Sequence, residues 1–330
     1  MRRRDFIGLV GGAAATWPMV AQAQQPERMR LIGVLGGFPE NDPEHQRRFA
    51  ALLQGLRELG WIEGKNFRTE YRWVTNDVER MRANAQELVK LHPDLLLADN
   101  ANPRAIVALQ KETTTIPILF VNTAEPTGEG ITPSLSRPST NVTGFTNFEY
   151  SVSGKWMDLL KQIAPNVARA ALLFNPDTAP HGFSYARPFE PAAALLGVEP
   201  ITMAVRDVAE MERAVAALGK GNGLIVLPDT FMATNRKTIF ALVSQYQLPA
   251  IYGFRFYASE GGLISYRPDF VEMHRLSASY VDRILKGEKP ANLAIQQPTK
   301  YELVINMKTA KTLGLVVPQA LLSTANEIIE

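Results

Sequence analysis

The chain has 330 residues, of which 46% are hydrophobic and 21% charged, with 35 basic and 33 acidic side chains and no cysteine. The length suits two domains of about 150 residues, each able to bury its own core. The missing cysteine excludes disulfides, thiolate catalysis, cysteine-ligated metals and a lipidated N-terminal cysteine, and the near balance of charge gives no support to a nucleic-acid or polyanion partner.

Residues 1–23, MRRRDFIGLVGGAAATWPMVAQA, read as an export signal rather than as part of the fold. A basic head precedes an apolar stretch too short and too glycine-rich to span a bilayer, and Ala21-Gln22-Ala23 has the small-x-small form of a cleavage site. Arg3-Arg4-Asp5-Phe6-Ile7 resembles a twin-arginine signal; an ordinary secretory peptide is the alternative. Cleavage after Ala23 removes three arginines and one aspartate and brings the formal net charge from +2 to zero. The mature chain is expected to be periplasmic and monomeric.

Strands and helices alternate from there on. MRLIGVL (29–35) is a short apolar run bounded by Gly36-Gly37, the pattern of a buried strand. Phe49, Leu52, Leu53, Leu56 and Leu59 then recur at helical spacing, with Gly60 placed as a C-cap. NFRTEYRWV (66–74) alternates as a strand, and 77–92 forms a helix stopped before Pro93. Strand DLLLAD (94–99), helix NPRAIVALQKE (102–112) and strand IPILFVN (116–122) follow. The second half repeats this order: strand 168–174, a loop at 175–183, helix 187–197, strand 199–205, helix 207–221, strand 223–229, helix 235–247 and strand 248–254. Beyond residue 260, strand GGLISY, a long helix (269–287), QPTKYELVIN and helix MKTAKTLG are too little for a third domain.

LLLADNANPRAIVALQ and LIVLPDTFMATNRKTIFAL thus belong to one unit written twice, with Asp99 and Asp229 closing the two apolar runs. Such alternation predicts an α/β protein of two similar doubly wound, Rossmann-like lobes. In such sheets ligands bind beyond the carboxyl ends of the strands, so two facing edges make a cleft.

Several segments resemble one family: ERMRANAQELVKLHPDLLLADN, LSRPSTNVTG, ARAALLFNPD, GGLISYRPDF, LLSTANEIIE and, most specifically, residues 280–318. It is the ABC-transporter substrate-binding protein family of tryptophan or aromatic-amino-acid type, with the type I periplasmic binding protein fold. The resemblance implies a non-enzymatic receptor that closes its lobes on a small solute, an amino acid or related carboxylate, and presents it to an ABC permease, without a cofactor. It implies three hinge crossings, placed near 143–148, 253–263 and 291–298. The lobes would comprise 29–145 plus about 260–290, and 146–255 plus about 295–330. The chain departs from the family pattern at Ser139-Thr140, at Glu125-Pro126, and at Tyr266-Arg267-Pro268, where Tyr-Gly-Pro is common.

The strand ends name the candidate ligand contacts. Asn100 and Asn102 precede a helix, one as a cap and the other free to meet ligand. Asn122 and Thr123 suit a carboxylate, or a plain turn. Asp177 and Asp229 suit an ammonium, or cap their own loops. Phe38, Phe231, Tyr252 and Phe254 offer rings to stack on a flat ligand, or pack the core and hinge. Arg255 is read as a salt bridge or a solvated side chain, with a carboxylate clamp as the alternative.

His45, His92, His181 and His274 lack metal-ligand spacing and read as surface or loop residues. The arginines of the helices near 47–57 and 80–90 read as solvated faces, and Asn141-Val142-Thr143 as a turn. No phosphate loop, dinucleotide fingerprint or nucleophile elbow appears. An enzyme on the same scaffold and the ligand-sensing partner of a membrane sensor stay open as alternatives.

Overall fold

The computed structural model describes residues 28–37, 41–73, 78–100, 103–138 and 141–330. The first lobe runs β1 (Arg30–Gly36), α1 (Pro43–Glu58), β2 (Phe67–Trp73), α2 (Val78–Lys90), β3 (Leu95–Asp99), α3 (Pro103–Glu112), β4 (Ile118–Thr123) and β5 (Val142–Thr146). The second lobe follows with α4 (Val152–Ile163), β6 (Arg169–Phe174), α5 (Gly182–Leu195), β7 (Glu199–Ala204), α6 (Val208–Leu218), β8 (Gly223–Val226), α7 (Thr230–Thr234), α8 (Arg236–Gln245), β9 (Ala250–Tyr252), α9 (Arg255–Ser259) and β10 (Ile264–Pro268). Helix α10 (Phe270–Leu285), a 3-10 turn (Pro290–Asn292), β11 (Tyr301–Asn306), α11 (Met307–Thr312), α12 (Gln319–Thr324) and β12 (Glu327–Ile329) complete the chain.

The two sheets share one winding. The first has the order β2-β1-β3-β4-β5, all parallel, and the second carries the same order in β7-β6-β8-β9-β10. The second is extended by β11, antiparallel to β10, and by β12. Central strands are apolar at almost every position: Leu95, Leu96, Leu97 and Ala98 are buried, as are Leu224, Ile225 and Val226. A strand covered by helices on both faces has no solvent side, so its sequence does not alternate.

Helix α10 returns to the first lobe and packs along α1 and over β3, β4 and β5. Gly55 of α1 makes this approach possible, because a Cβ there would lie 2.7 Å from the Arg275 carbonyl oxygen. The lobes are therefore joined at three places: between β5 and α4, at Asp269 between β10 and α10, and between Gln296, which bridges to Phe145, and β11. The last two crossings are clasped together. Asp269 N–H donates to the Lys300 carbonyl at 2.9 Å, and Lys300 Nζ lies 2.8 Å from the Asp269 carboxylate.

Several expectations change. The segment 253–263 lies within the second lobe, and the crossing it was assigned falls at Asp269. Strand β10, expected with the first lobe, belongs to the second sheet, whereas α10 packs on the first. Val142 and Thr143, read as a turn, open β5; Gly144 interrupts the apolar pattern there because a Cβ would meet the Phe120 carbonyl oxygen at 2.2 Å. Helix α5 starts at Gly182 rather than at 187, so Pro188 and Pro191 lie inside it. A start at 187 would keep Pro188 in the first turn, where its missing N–H costs nothing. Burial of Tyr185, Ala186 and Phe189 on one face outweighs that loss.

Candidate functional site: the interlobe cleft

Between the lobes lies a cleft of about 600 Å³, within the range of small-molecule sites. Its walls are the carboxyl ends of the strands. The first lobe contributes Arg48 from α1, Asn100 after β3, and Asn122 and Thr123 at the end of β4. The hinge contributes Asn147 and Phe148; the second lobe contributes Thr178, Tyr185, Asp229, Phe254, Phe256 and Arg267.

The polar wall of the first lobe is ordered by a buried charge. Asp99 is fully buried; its Oδ1 lies 2.8 Å from His274 Nε2 and its Oδ2 lies 3.1 Å from His45 Nδ1, off the hydrogen-bonding angle. Burial by itself would raise this carboxyl. The His274 imidazole, through charge and hydrogen bond, and then His45 overrule it and hold it well below the usual carboxylate range. An ionised carboxylate only accepts, so Asn100 must present its amide N–H₂ to Asp99, at 2.8 Å. Its carbonyl oxygen then faces the cleft side, where it accepts from Arg48 Nη1 at 3.0 Å and from Asn122 Nδ2. Asn100 and Asn122 both have positive φ, 50° and 66°, a conformation asparagine tolerates better than most residues.

The second lobe is built differently at the equivalent place. Asp229 caps α7: Oδ1 accepts from Phe231 N–H at 2.8 Å and from the Thr178 hydroxyl, and Oδ2 accepts from Asn175 N–H at 2.7 Å. The cleft also carries an aromatic wall, drawn from the second lobe, the hinge and the start of α10. Phe254 stacks on Phe256 with centroids 5.5 Å apart, and Phe148 meets Phe254 at 6.0 Å and Phe270 at 5.9 Å edge-on. Tyr185 stacks on Trp156, whose indole N–H donates to the Tyr266 carbonyl at 2.8 Å.

Of the residues named from the sequence, the structure brings Asn100, Asn122, Thr123, Asp229 and Phe254 to the cleft. It places Tyr252 elsewhere, fully buried in the second core with its ring 4.7 Å from that of Tyr257. Phe231 packs against the same core from α7. Asp177 is exposed, 3.9 Å from Arg206, and does not line the cleft. Phe38 and Asn102 fall outside the described residues. Arg255 lines the cleft but is held bidentately by Glu327, at 2.9 and 2.6 Å.

Sequence reasoning missed other residues. His45 and His274 are buried rather than superficial, and Arg48 is 6% exposed rather than solvated. Their signal was position: His45 lies four residues before Phe49, and His274 four after Phe270, on apolar helix faces. Arg267 was visible only as a departure from Tyr-Gly-Pro. Among the described residues no cluster of side chains suits a metal ion, and no helix is long and apolar enough to cross a membrane.

The family model described as ABC transporter substrate binding protein matches residues 41–329. The chain belongs to that family. A conserved domain protein from Vibrio cholerae superimposes with a TM-score of 0.74 at 26% identity, over 92% of this chain and 99% of that one. A domain from Streptococcus pneumonia in complex with L-Trp gives 0.77 at 22%, over 91% and 100%. A tyrosine-binding protein of Clostridioides difficile is 21% identical over 274 residues, 83% of this chain and 78% of that one. The chain is thus a non-catalytic, exported solute-binding protein of an ABC importer with the type I periplasmic binding fold, and takes a small ligand by closing its lobes.

Proposed function

We propose that the solute is an aromatic amino acid or a closely related small carboxylate, delivered to an ABC permease of the inner membrane. One observation carries this reading: the cleft pairs an aromatic wall, Phe148, Phe254, Phe256 and Phe270, with a polar end formed by Arg48, Asn100, Asn122 and Thr123. A ligand with a flat apolar body and one charged end satisfies both. Stacking and burial of the ring supply affinity, and the polar end supplies orientation. The relatives that bind tryptophan and tyrosine support the same class. Hinge closure follows because a ligand touching both lobes favours the closed state over the open one.

We further propose export through the twin-arginine route with cleavage after Ala23, so that the receptor works as a free periplasmic monomer. The solute class is tested by native mass spectrometry of the purified protein and by thermal shift with L-tryptophan, L-tyrosine, L-phenylalanine and their deaminated analogues. A ligand present at about 100 times its Kd stabilises the fold by about 2.7 kcal/mol, a readily measured rise in Tm. Absence of any rise with the whole set, together with a co-purifying ligand of another class, rejects the reading.

A further inference from the structure

Two arginines from opposite lobes line the cleft beside one ring. Arg48 leaves α1 of the first lobe and Arg267 leaves β10 of the second. They are 6% and 3% exposed, both line the cleft, and their guanidinium carbons lie 4.8 and 5.1 Å from the centre of the Phe270 ring. Like charges brought together away from water repel strongly unless they are answered. Burial, and then the Arg267 charge, press the Arg48 guanidinium below its ordinary value.

The chain's own acids face these charges, Glu44 and Asp99 toward Arg48, whose Nη1 also donates to Asn100 Oδ1, and Glu302 and Asp269 toward Arg267. What stays unmet is a hydrogen bond at Arg267. Glu302, which does not line the cleft, lies 2.7 Å from Arg267 Nη2 but off the hydrogen-bonding angle. Glu44 approaches Arg48 Nη2 at 3.3 Å from the rim, where its side chain is 44% exposed and water screens it. Arg267 Nε is buried and donates to no acceptor among the described residues. A buried guanidinium N–H without an acceptor is costly, and a planar carboxylate fits its fork.

We propose that Arg48 and Arg267 form an anion seat for the solute's carboxylate, with one arginine from each lobe, so that the carboxylate itself ties the lobes shut. This deepens the reading of the cleft as the solute site and rests on it. It makes the carboxylate the required group and an ammonium dispensable, since the acids that line the cleft are already engaged: Asp229 accepts three hydrogen bonds from its own lobe, Asp42 accepts from the His45 N–H, and Glu44 pairs with Arg48. Glu44 and Asp99 toward Arg48, and Glu302 and Asp269 toward Arg267, already bring negative charge to the two arginines, so a monoanion suits the seat better than a dianion.

The experiment compares 3-indolepropionate, L-tryptophan and tryptamine by calorimetry on the wild-type protein and on Arg267→Gln, Arg267→Lys and Arg48→Gln. The two carboxylates are expected to bind and tryptamine to bind at least about tenfold more weakly; Arg267→Gln and Arg48→Gln each weaken the carboxylates about tenfold or more, and Arg267→Lys recovers part of the loss. Small-angle scattering should show compaction by 3-indolepropionate in the wild type only. Tryptamine binding as tightly as 3-indolepropionate, or carboxylate affinity unchanged in both glutamine variants, overturns the seat. A second arm is independent of the aromatic ligand: formate, phosphate and chloride at equal ionic strength. Formate is expected to raise the Tm above chloride in the wild type and not in Arg267→Gln, with phosphate no better than formate. If no aromatic probe binds, the solute class falls while the formate arm still decides the seat; equal formate shifts in wild type and variant overturn it. Should Arg267→Gln not fold, Arg48→Gln and Arg267→Lys carry both arms.

Discussion

Asp99 and Asp229 hold equivalent places in two sheets of the same winding, at or just beyond the third strand of each. Their chemistry has diverged. Asp99 points back into the first lobe, is fully buried, and sits between two histidines from α1 and α10. Asp229 turns along its own chain and binds two backbone N–H groups and one hydroxyl. One repeat uses its acid to orient an amide that lines the cleft; the other uses it to start a helix. A shared fold therefore fixes where a side chain begins, and the neighbouring elements fix what it does.

The largest expected effect separates the two acids. Asp99→Ala leaves His45 and His274 without their carboxylate in the interior, and should cost about 3–5 kcal/mol, read from urea unfolding. A loss below about 1 kcal/mol would mean that the buried network adds little to the fold. Binding should weaken as well, because Asn100 is no longer held with its carbonyl toward Arg48.

Acid titration sharpens the same point. The folded-state value of Asp99 lies below its unfolded one, so folding favours the carboxylate. That stability is complete above the unfolded value near about 4 and drains as the pH falls from there toward the folded value. The urea midpoint of the wild type should decline below about pH 4, and Asp99→Asn should flatten part of that decline. Identical acid limbs in the two proteins would contradict the assignment.

Asp229→Ala removes a helix cap and is expected to cost about 1–2 kcal/mol, clearly less than Asp99→Ala under the same conditions. The smallest effect belongs to the hinge. In the pair with Asp269, Lys300 is 58% exposed while Asp269 is 9% exposed. Asp269 keeps the Glu272 N–H when the lysine is lost, so the pair is expected to contribute about 0–1 kcal/mol. Lys300→Met should shift stability by no more than about 0.5 kcal/mol while changing the open–closed balance seen by scattering. A larger loss would show that the crossing supports the fold and does not merely guide its motion.

The sheets were legible because strands such as LLLAD and GLIV are apolar throughout and are bounded by turn residues. Helix α4 was overlooked although it is twelve residues long and buries Trp156, Met157, Leu160 and Ile163 at helical spacing. The other overlooked elements are short or locally ambiguous. Strand β5 has a central glycine, α7 and α9 have five residues each, and β12 has three. The cleft was half legible. Residues at strand ends, such as Asn100 and Asn122, could be named because the winding places every such end on one edge. Arg48 and Phe270 could not, since they sit on helices where a basic or aromatic residue in an amphipathic pattern gives no sign of facing another lobe. Tyr252 misled for the converse reason: it lies at a strand end, yet alternation turns its ring into the core beside Tyr257.

By itself the sequence determined the alternation of strands and helices, their duplication and the two-lobed plan, because hydrophobic period and turn chemistry are local properties. Only the tertiary structure decided that α10 returns to the first lobe while β10 stays in the second, and that His45 and His274 converge on Asp99 from helices more than 200 residues apart. Those pairings depend on which faces meet after the chain has crossed the hinge three times, and no local pattern carries that information.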